Sequence, residues 1–241
     1  MKPTLERVRT KALALWEKEN ILNESITVSA GPLSVKEAIG TPEETDFPIQ
    51  QGKEKLMEAT FRNERGQAFT DNYGNFSGTL LEVASLPFDN NFNRAVFVST
   101  LNAVSRSLGK AEGTIHCKDE GPKQCAQHVF DHIKEKYGTC RITIIGFQPA
   151  LAEALNQKTD IRLIDLDPDN IGQTKRGVLV EGGDATQDAI EWCDLLLVTG
   201  TTLANSSIDL FLTDKPVLFY GTTISGAASL MGWERFCPQS S

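Results

Sequence analysis

The second half of the chain contains five short apolar segments separated by helical or loop segments. This pattern restricts the possible folds more than any other feature of the sequence. The segments are RITIIG (141–146), IRLIDLD (161–167), GVLVEGG (177–183), DLLLVTG (194–200) and PVLFYG (216–221). Their apolar residues are nearly continuous rather than alternating, which is typical of strands covered on both faces. Strands separated by single helices pair in parallel through right-handed crossovers. The sequence therefore predicts an α/β fold with a Rossmann-like, doubly wound parallel sheet in strand order 3-2-1-4-5.

The first 110 residues follow a different pattern. An amphipathic helix is predicted over 5–19 and a strand over ITVSAGPL (26–33). Ser34 and Glu37 have the spacing of a helix capping box. Residues 56–72 and 76–86 mix strand propensity with glycines, and we expect them to form a small antiparallel sheet.

A helix is predicted over 93–109, because apolar residues recur there at helical spacing and Gly109 can end the helix. Two further helices are expected, over 149–156 and within SSIDLFL (206–212). We interpret residues 1–110 as an α+β domain and residues 111–241 as the α/β domain, with 111–122 as the connector.

Composition excludes several classes of function. The chain has 32 acidic and 24 basic residues and a net charge of −8, so a nucleic-acid partner is not expected. The first 20 residues are charged throughout, so we do not expect a signal peptide, and no apolar run is long enough to predict a membrane-spanning helix. Five cysteines without a short-spaced framework fit reduced thiols. These features predict a cytoplasmic protein without a membrane partner, and homo-oligomer formation stays open.

Ligands of open parallel sheets bind at the carboxyl ends of the strands, where the strand order reverses. Two G-T-T loops follow neighbouring strands there, and their hydroxyls and amides suit a small polar or anionic metabolite. The same Thr, Ser and Asn side chains could simply cap helices. The candidate ligand-binding residues of these two loops are Gly200, Thr201, Thr202, Asn205, Gly221, Thr222 and Thr223.

Acidic residues follow the second strand, where dinucleotide-binding proteins place the carboxylate that binds a ribose hydroxyl. The first turn, however, reads Gly146-Phe147-Gln148-Pro149 instead of G-x-G-x-x-G. We therefore do not expect the chain to bind NAD. Neither a P-loop nor a G-x-S-x-G motif occurs.

The segment TIHCKDEGPKQCAQHVFDH (114–132) holds all three histidines of the chain. Its second part is predicted to be a helix that packs through apolar residues and carries Cys125, His128 and His132 on one flank. That spacing makes a metal site conceivable, but it is not a recognised zinc signature. The first part lies between the two predicted domains. There His116, Cys117, Asp119 and Glu120 are either a solvated connector or an inter-domain site for a ligand or a divalent metal.

Three blocks of sequence carry a resemblance to a known family. They are NFNRAVFVSTLNAV, IIGFQPALAEAL leading into IRLIDLDPDNIG, and DLLLVTGTTLANSSIDLFL followed by PVLFYGTTISGAASLMGWERFCP. Their order resembles that of the heavy-metal chelation family of unknown function, which pairs an enolase N-terminal-like domain with a Rossmann-like domain. The resemblance implies a site in the cleft between the domains. The cleft would be lined by Gly146 and Phe147, by Asp165, Asp167 and Asn170, by both G-T-T loops, and by Asp71 and Asn72 of the first domain.

Two functions follow as hypotheses. The first is an enzyme acting on a small polar metabolite, in which Asp165 or Asp167 orients the substrate and a carboxylate or His116 transfers protons. The second is a non-catalytic protein that binds a metal ion or metal complex through His116, Cys117, Asp119 and Glu120. A scaffold without a small ligand is the third alternative. The cofactor is unknown, with a divalent metal as the candidate.

Overall fold

The computed structural model describes residues 2–30, 40 and 54–241. The strands of this part of the chain are β1 (Ser25–Ser29), β2 (Lys55–Phe61), β3 (Glu64–Thr70), β4 (Phe76–Thr79), β5 (Ile142–Ile145), β6 (Ile161–Ile164), β7 (Thr174–Lys175), β8 (Val178–Glu181), β9 (Leu195–Thr199), β10 (Val217–Tyr220) and β11 (Arg235–Phe236). The α-helices are α1 (Thr4–Lys18), α2 (Leu80–Ser85), α3 (Asn91–Ser107), α4 (Gly121–Tyr137), α5 (Pro149–Asn156), α6 (Thr186–Trp192), α7 (Thr201–Ala204) and α8 (Ser225–Met231).

The amino-terminal part forms a four-stranded antiparallel sheet in the order β3-β2-β1-β4. Helix α3 packs across β2 and β3, and the packing is close because Gly66 of β3 has no side chain. A Cβ atom at Gly66 would lie 2.1 Å from the backbone nitrogen of Ala103. The sheet and α3 therefore form one tightly packed layer pair.

The carboxyl-terminal part forms a seven-stranded sheet in the order β11-β10-β9-β5-β6-β8-β7. All of its pairs are parallel except β7–β8. The five strands expected from the apolar segments occupy its centre, where β8, β6, β5, β9 and β10 correspond to the third, second, first, fourth and fifth segments. The predicted α/β class is confirmed, and the finer Rossmann-like and enolase N-terminal-like assignments stay predictions.

The central strands are apolar on both faces because each face packs against its own core. One core contains the α4 residues Val129 and Ile133 and the β5 residue Ile144. The opposite core continues from the parallel sheet into α1, α3 and the antiparallel sheet. The two parts of the chain thus share one continuous core, and the division at residues 110 and 111 stays a prediction.

Two local predictions differ from the structure, and a third concerns residues outside the described ranges. Residues 80–85 of the segment predicted as sheet form helix α2, which begins with a capping box in which Thr79 and Glu82 bond to each other's backbone amides. The segment 206–212, predicted as a helix, contains only a short 3₁₀ turn at Ile208–Leu210. The capping box predicted at Ser34 and Glu37 lies outside the described residues.

In the described ranges, no helix is both long and apolar enough to cross a membrane. The cytoplasmic location stays a prediction.

Candidate functional site

A cavity of about 760 Å³ lies at the carboxyl ends of the central parallel strands. Its floor is made by the loops that follow β5, β6, β9 and β10. Its other walls are the end of β3, the connector at His116 and Cys117, the first turns of α4, and the tail after β11. A volume of this size suits a small ligand.

Most of the residues predicted to form a site line this one cavity. They are Asp71, His116, Cys117, Gly146, Phe147, Asp165, Asp167, Gly200, Thr201, Thr202, Asn205, Gly221 and Thr223. Asp71 comes from the amino-terminal part of the chain, and the others come from the connector and the parallel sheet.

Five predicted residues are not among those that line the cavity. Asn72 lies in an exposed turn, where its backbone amide donates to the hydroxyl of Thr70. Thr222 and Asn170 are buried. Asp119 and Glu120 lie outside the cavity walls, and Glu120 is 3.8 Å from the ammonium of Lys123. The connector therefore contributes only its first two candidates, because the chain turns away after Cys117.

The loop after β6 is organised by the carboxylate of Asp165. The backbone amide of Phe147 donates to one carboxylate oxygen at 2.6 Å, and the amide of Asp167 donates to the other at 2.7 Å. Asp165 thus ties the loop after β5 to the loop after β6. Charged hydrogen bonds of this kind are stronger than neutral ones, so the carboxylate is held in a fixed orientation at the cavity wall.

Glu54 is a cavity residue that the sequence reasoning missed. It lies just before β2, and burial, aided by the charges of Asp165, Asp71 and Asp167, raises its pKa to about 7. A carboxyl group whose pKa lies near neutrality can both donate and accept a proton under ordinary conditions. No sequence pattern singles out Glu54, because its pKa depends on neighbours that are distant in the chain.

His116 lies beside the ring of Phe69, with ring centroids 5.2 Å apart in a T-shaped arrangement. Burial lowers its pKa to about 4, against a backbone hydrogen bond that raises it. The imidazole is therefore neutral at pH 7, and its Nδ1 hydrogen is donated to the backbone oxygen of Cys117. This tautomer leaves Nε2 as an acceptor. The position of His116 is fixed by its backbone amide, which donates to the side-chain oxygen of Gln67.

Several hydroxyls predicted to hold a ligand are engaged within the protein. The hydroxyl of Thr223 accepts a hydrogen bond from the amide of Phe69, and that of Thr202 donates to the backbone oxygen of Thr199. The side-chain oxygen of Asn205 accepts from Ser207. These residues therefore stabilise their own turns and also line the cavity, and ligand binding by them stays a prediction.

Three cysteines line one end of the cavity: Cys117, Cys125 and Cys237. A hydrogen bond with Cys117, together with burial, raises the pKa of Cys125 to about 11, although a hydrogen bond with Cys237 opposes the change. A hydrogen bond with Cys125, followed by burial, raises the pKa of Cys237 well above its ordinary value. Both thiols are therefore protonated at neutral pH.

The flank of α4 does not bring together the three residues considered for a metal. Cys125 is buried and points into the cavity wall, whereas His128 is exposed. His132 lies 3.3 Å from the carboxylate of Glu234. These side chains diverge because the helix presents Cys125 to the core and its histidines to the surface.

The side chains predicted as metal ligands do not come together in the fold. Among the residues that the structure describes, no group of three or more His, Cys, Asp or Glu side chains is arranged to hold a metal ion. His116 and Cys117 share the cavity, but Asp119 and Glu120 do not join them. The predicted set of four ligands is therefore not assembled, and the residues do not fit a preformed metal site.

Comparison with known proteins supports the family resemblance. Residues 128–224 match the DUF364 family, described as "Putative heavy-metal chelation", so the resemblance is confirmed over that range. A protein of unknown function from this family in Pyrococcus horikoshii has a similar structure, with a TM-score of 0.56 and 17% identity over 91% of this chain and 79% of that one. A second, from Desulfitobacterium hafniense, gives a TM-score of 0.49 and 14% identity over 73% and 72%. No curated protein matches the chain.

Proposed function

We propose that this chain, which matches the DUF364 family over residues 128–224, is a small-molecule-binding protein and acts as an enzyme on a small polar metabolite in the cavity. The observation that carries the proposal is the position of Glu54, a carboxyl group with a pKa of about 7, in a cavity that also holds Asp71, Asp165 and Asp167. Groups with strongly perturbed pKa values in a cleft are characteristic of functional sites.

The charges of the cavity favour one kind of metabolite. Four acidic side chains line it, and none of the lining residues within the described ranges is Lys or Arg. An anionic group would meet these carboxylates without a cationic partner. We therefore propose a ligand with hydroxyl or amino groups, which can donate hydrogen bonds to the carboxylates.

The proposed reaction requires proton transfer. Glu54 exchanges a proton with the bound metabolite, because its carboxyl is present in both protonation states near pH 7. Asp165 orients the metabolite with the oxygen lone pairs that the two backbone amides leave available, and Asp167 adds a second carboxylate to the cavity wall. The neutral ring of His116 offers Nε2 as a further acceptor. The aromatic side chains of Phe69 and Tyr220 also line the cavity.

The test is native mass spectrometry of freshly purified protein, combined with elemental analysis. We expect a bound metabolite that is lost from Glu54→Gln and from Asp165→Asn, each with an unchanged circular dichroism spectrum. The matched control is Glu135→Gln, an exposed carboxylate on α4, which should keep the metabolite. Retention of the metabolite by both cavity variants would overturn the proposal.

The alternative is a non-catalytic protein that binds a metal ion or complex. The family description and the shared cavity position of His116 and Cys117 favour it. It predicts stoichiometric metal in the elemental analysis, lost when both residues are replaced by alanine. Metal that survives this double replacement would contradict the alternative.

A further inference from the structure

Three of the five cysteines converge at one end of the cavity from separate parts of the chain. Cys117 lies in the connector, Cys125 in the second turn of α4, and Cys237 just after β11. Cys125 is the shared partner, since its pKa depends on the thiols of both Cys117 and Cys237, and all three residues line the same cavity. The remaining two, Cys140 and Cys193, do not line the cavity.

Separate contacts place the two outer cysteines beside the start of α4, one turn before Cys125. Cys117 packs on Gly121, where an added Cβ atom would lie 2.6 Å from the Cβ of Cys117. The tail that carries Cys237 is anchored by a pair of backbone hydrogen bonds between Ile115 and Ser241, of 2.8 and 3.1 Å. The connector and the tail are thus fixed next to each other, and both lie beside Gly121 at the start of α4.

The outer thiols are also accessible from the cavity. Cys117 and Cys237 are half-buried, whereas Cys125 is buried. Because all three line a cavity of about 760 Å³, a small reagent can reach an outer sulfur, and the buried sulfur is placed to react next. This is the arrangement of a reacting thiol with a resolving thiol beside it.

We propose that Cys125 is the central thiol of a redox-active site, which forms an intramolecular disulfide with Cys117 or Cys237 on reaction with a low-molecular-weight disulfide. In the first step the sulfur of the outer cysteine gives up its proton and attacks one sulfur of the reagent. The reagent's S–S bond breaks, a mixed disulfide forms, and one reagent thiol leaves with the proton. In the second step the sulfur of Cys125 attacks the mixed disulfide, its proton passes to the departing reagent sulfur, and the second reagent thiol is released.

The product links α4 covalently to the connector or to the tail. A link from Cys125 to Cys237 closes a long loop, which stabilises the folded state by restricting the unfolded chain. Either link also removes two thiols from the cavity wall next to His116. The inference is independent of the metabolite and of the proposed reaction.

The experiment is equilibration of the native protein in glutathione buffers of graded oxidised-to-reduced ratio, followed by alkylation and peptide mapping. We expect two of the five free thiols to be lost, with Cys125 linked to Cys117 or to Cys237. The single variants Cys117→Ser and Cys237→Ser should each still form the remaining pair. Cys140→Ser is the matched control and should behave as the natural chain does.

Two variants make the test decisive. Cys125→Ser removes the shared partner, and the double variant Cys117→Ser with Cys237→Ser leaves Cys125 without a partner, so neither should form an intramolecular disulfide. An undiminished intramolecular disulfide in either variant would overturn the proposal. So would a natural chain that keeps all its thiols reduced, or that stops at the mixed disulfide, in the most oxidising buffer.

Discussion

The backbone amide of Phe69, at the end of β3, donates a hydrogen bond of 3.1 Å to the hydroxyl of Thr223, in the loop after β10. This bond joins the edge of the antiparallel sheet to the carboxyl end of the parallel sheet. The cavity wall is therefore continuous between the two parts of the chain. The hydroxyl of Thr223, which the sequence suggested for ligand binding, is used to make this join.

Asn102, which is fully buried in α3, also takes part in this join. Its amide donates to the backbone oxygens of Gln67, Thr222 and Thr223, and its side-chain oxygen accepts from the amide of Gly226 at 2.7 Å. Asn102→Ala leaves these buried groups without their partner. We expect the free energy of unfolding to fall by about 2–4 kcal/mol, measured by urea denaturation.

The control for this change is Asn156→Ala, at the exposed end of α5, where the side-chain amide donates a long hydrogen bond of 3.5 Å to the backbone oxygen of Arg176. It should change stability by less than about 0.5 kcal/mol. Equal effects of the two replacements would show that Asn102 does not hold the two sheets together.

Gly66 and Gly109 provide a matched pair for the packing of α3. A Cβ atom at Gly66 would lie 2.1 Å from the nitrogen of Ala103, whereas nothing lies within 4 Å of one at Gly109. Gly66→Ala should cost at least about 3 kcal/mol, because β3 and α3 must separate. Gly109→Ala should cost only about 1 kcal/mol, from its positive φ of 62°. Thermal denaturation of the two variants measures their losses of stability. Similar losses would contradict the close contact between β3 and α3.

Glu54 should make the protein less stable as the pH rises. Its carboxyl has an ordinary pKa of 4.5 and a folded-state pKa of about 7. Between these values the unfolded chain releases the proton while the folded chain keeps it, so the free energy of unfolding falls with increasing pH. Glu54→Gln removes this loss, and at pH 8 the variant should be more stable than the natural chain by up to about 3 kcal/mol.

Urea denaturation at pH 4 and pH 8 measures the effect of Glu54. The exposed variant Glu135→Gln should follow the natural chain at both values. A constant difference between Glu54→Gln and the natural chain across this range would mean that the carboxyl titrates normally in the folded state.

His116 should make the protein less stable as the pH falls, which is the opposite of the effect of Glu54 over an overlapping pH range. Its pKa falls from 6.5 to about 4 on folding. Between these values the unfolded chain binds a proton that the folded chain does not, so stability falls as the pH decreases through this range. His116→Gln should therefore gain stability relative to the natural chain at pH 4.

The measurement for His116 is the difference in unfolding free energy between the variant and the natural chain, since Glu54 partly cancels the trend in the natural chain alone. His128→Gln, on the exposed face of α4, is the control and should show no such trend. A pH-independent difference for His116→Gln would refute the lowered pKa.

Much of the candidate site could be predicted because parallel sheets have a directional rule. Once the five apolar segments were assigned to one sheet, the residues after each strand, such as Asp165 and Thr201, had to meet at one edge. Glu54 and Cys237 could not be found in this way. They approach the edge from outside the sheet, and their positions depend on packing against α3 and α4.

The sequence by itself determined the α/β class, the central strands and the helices at 149–156 and along α3. These features follow from the spacing of apolar residues that are close together in the sequence. Only the tertiary structure decided which polar groups face the cavity. His116 and Cys117 line the cavity, whereas Asp119 and Glu120 do not. The hydroxyl of Thr223 accepts a hydrogen bond from the backbone amide of Phe69. The pKa values of Glu54 and His116 were likewise decided by the fold, because burial and neighbouring charges arise only when distant segments meet.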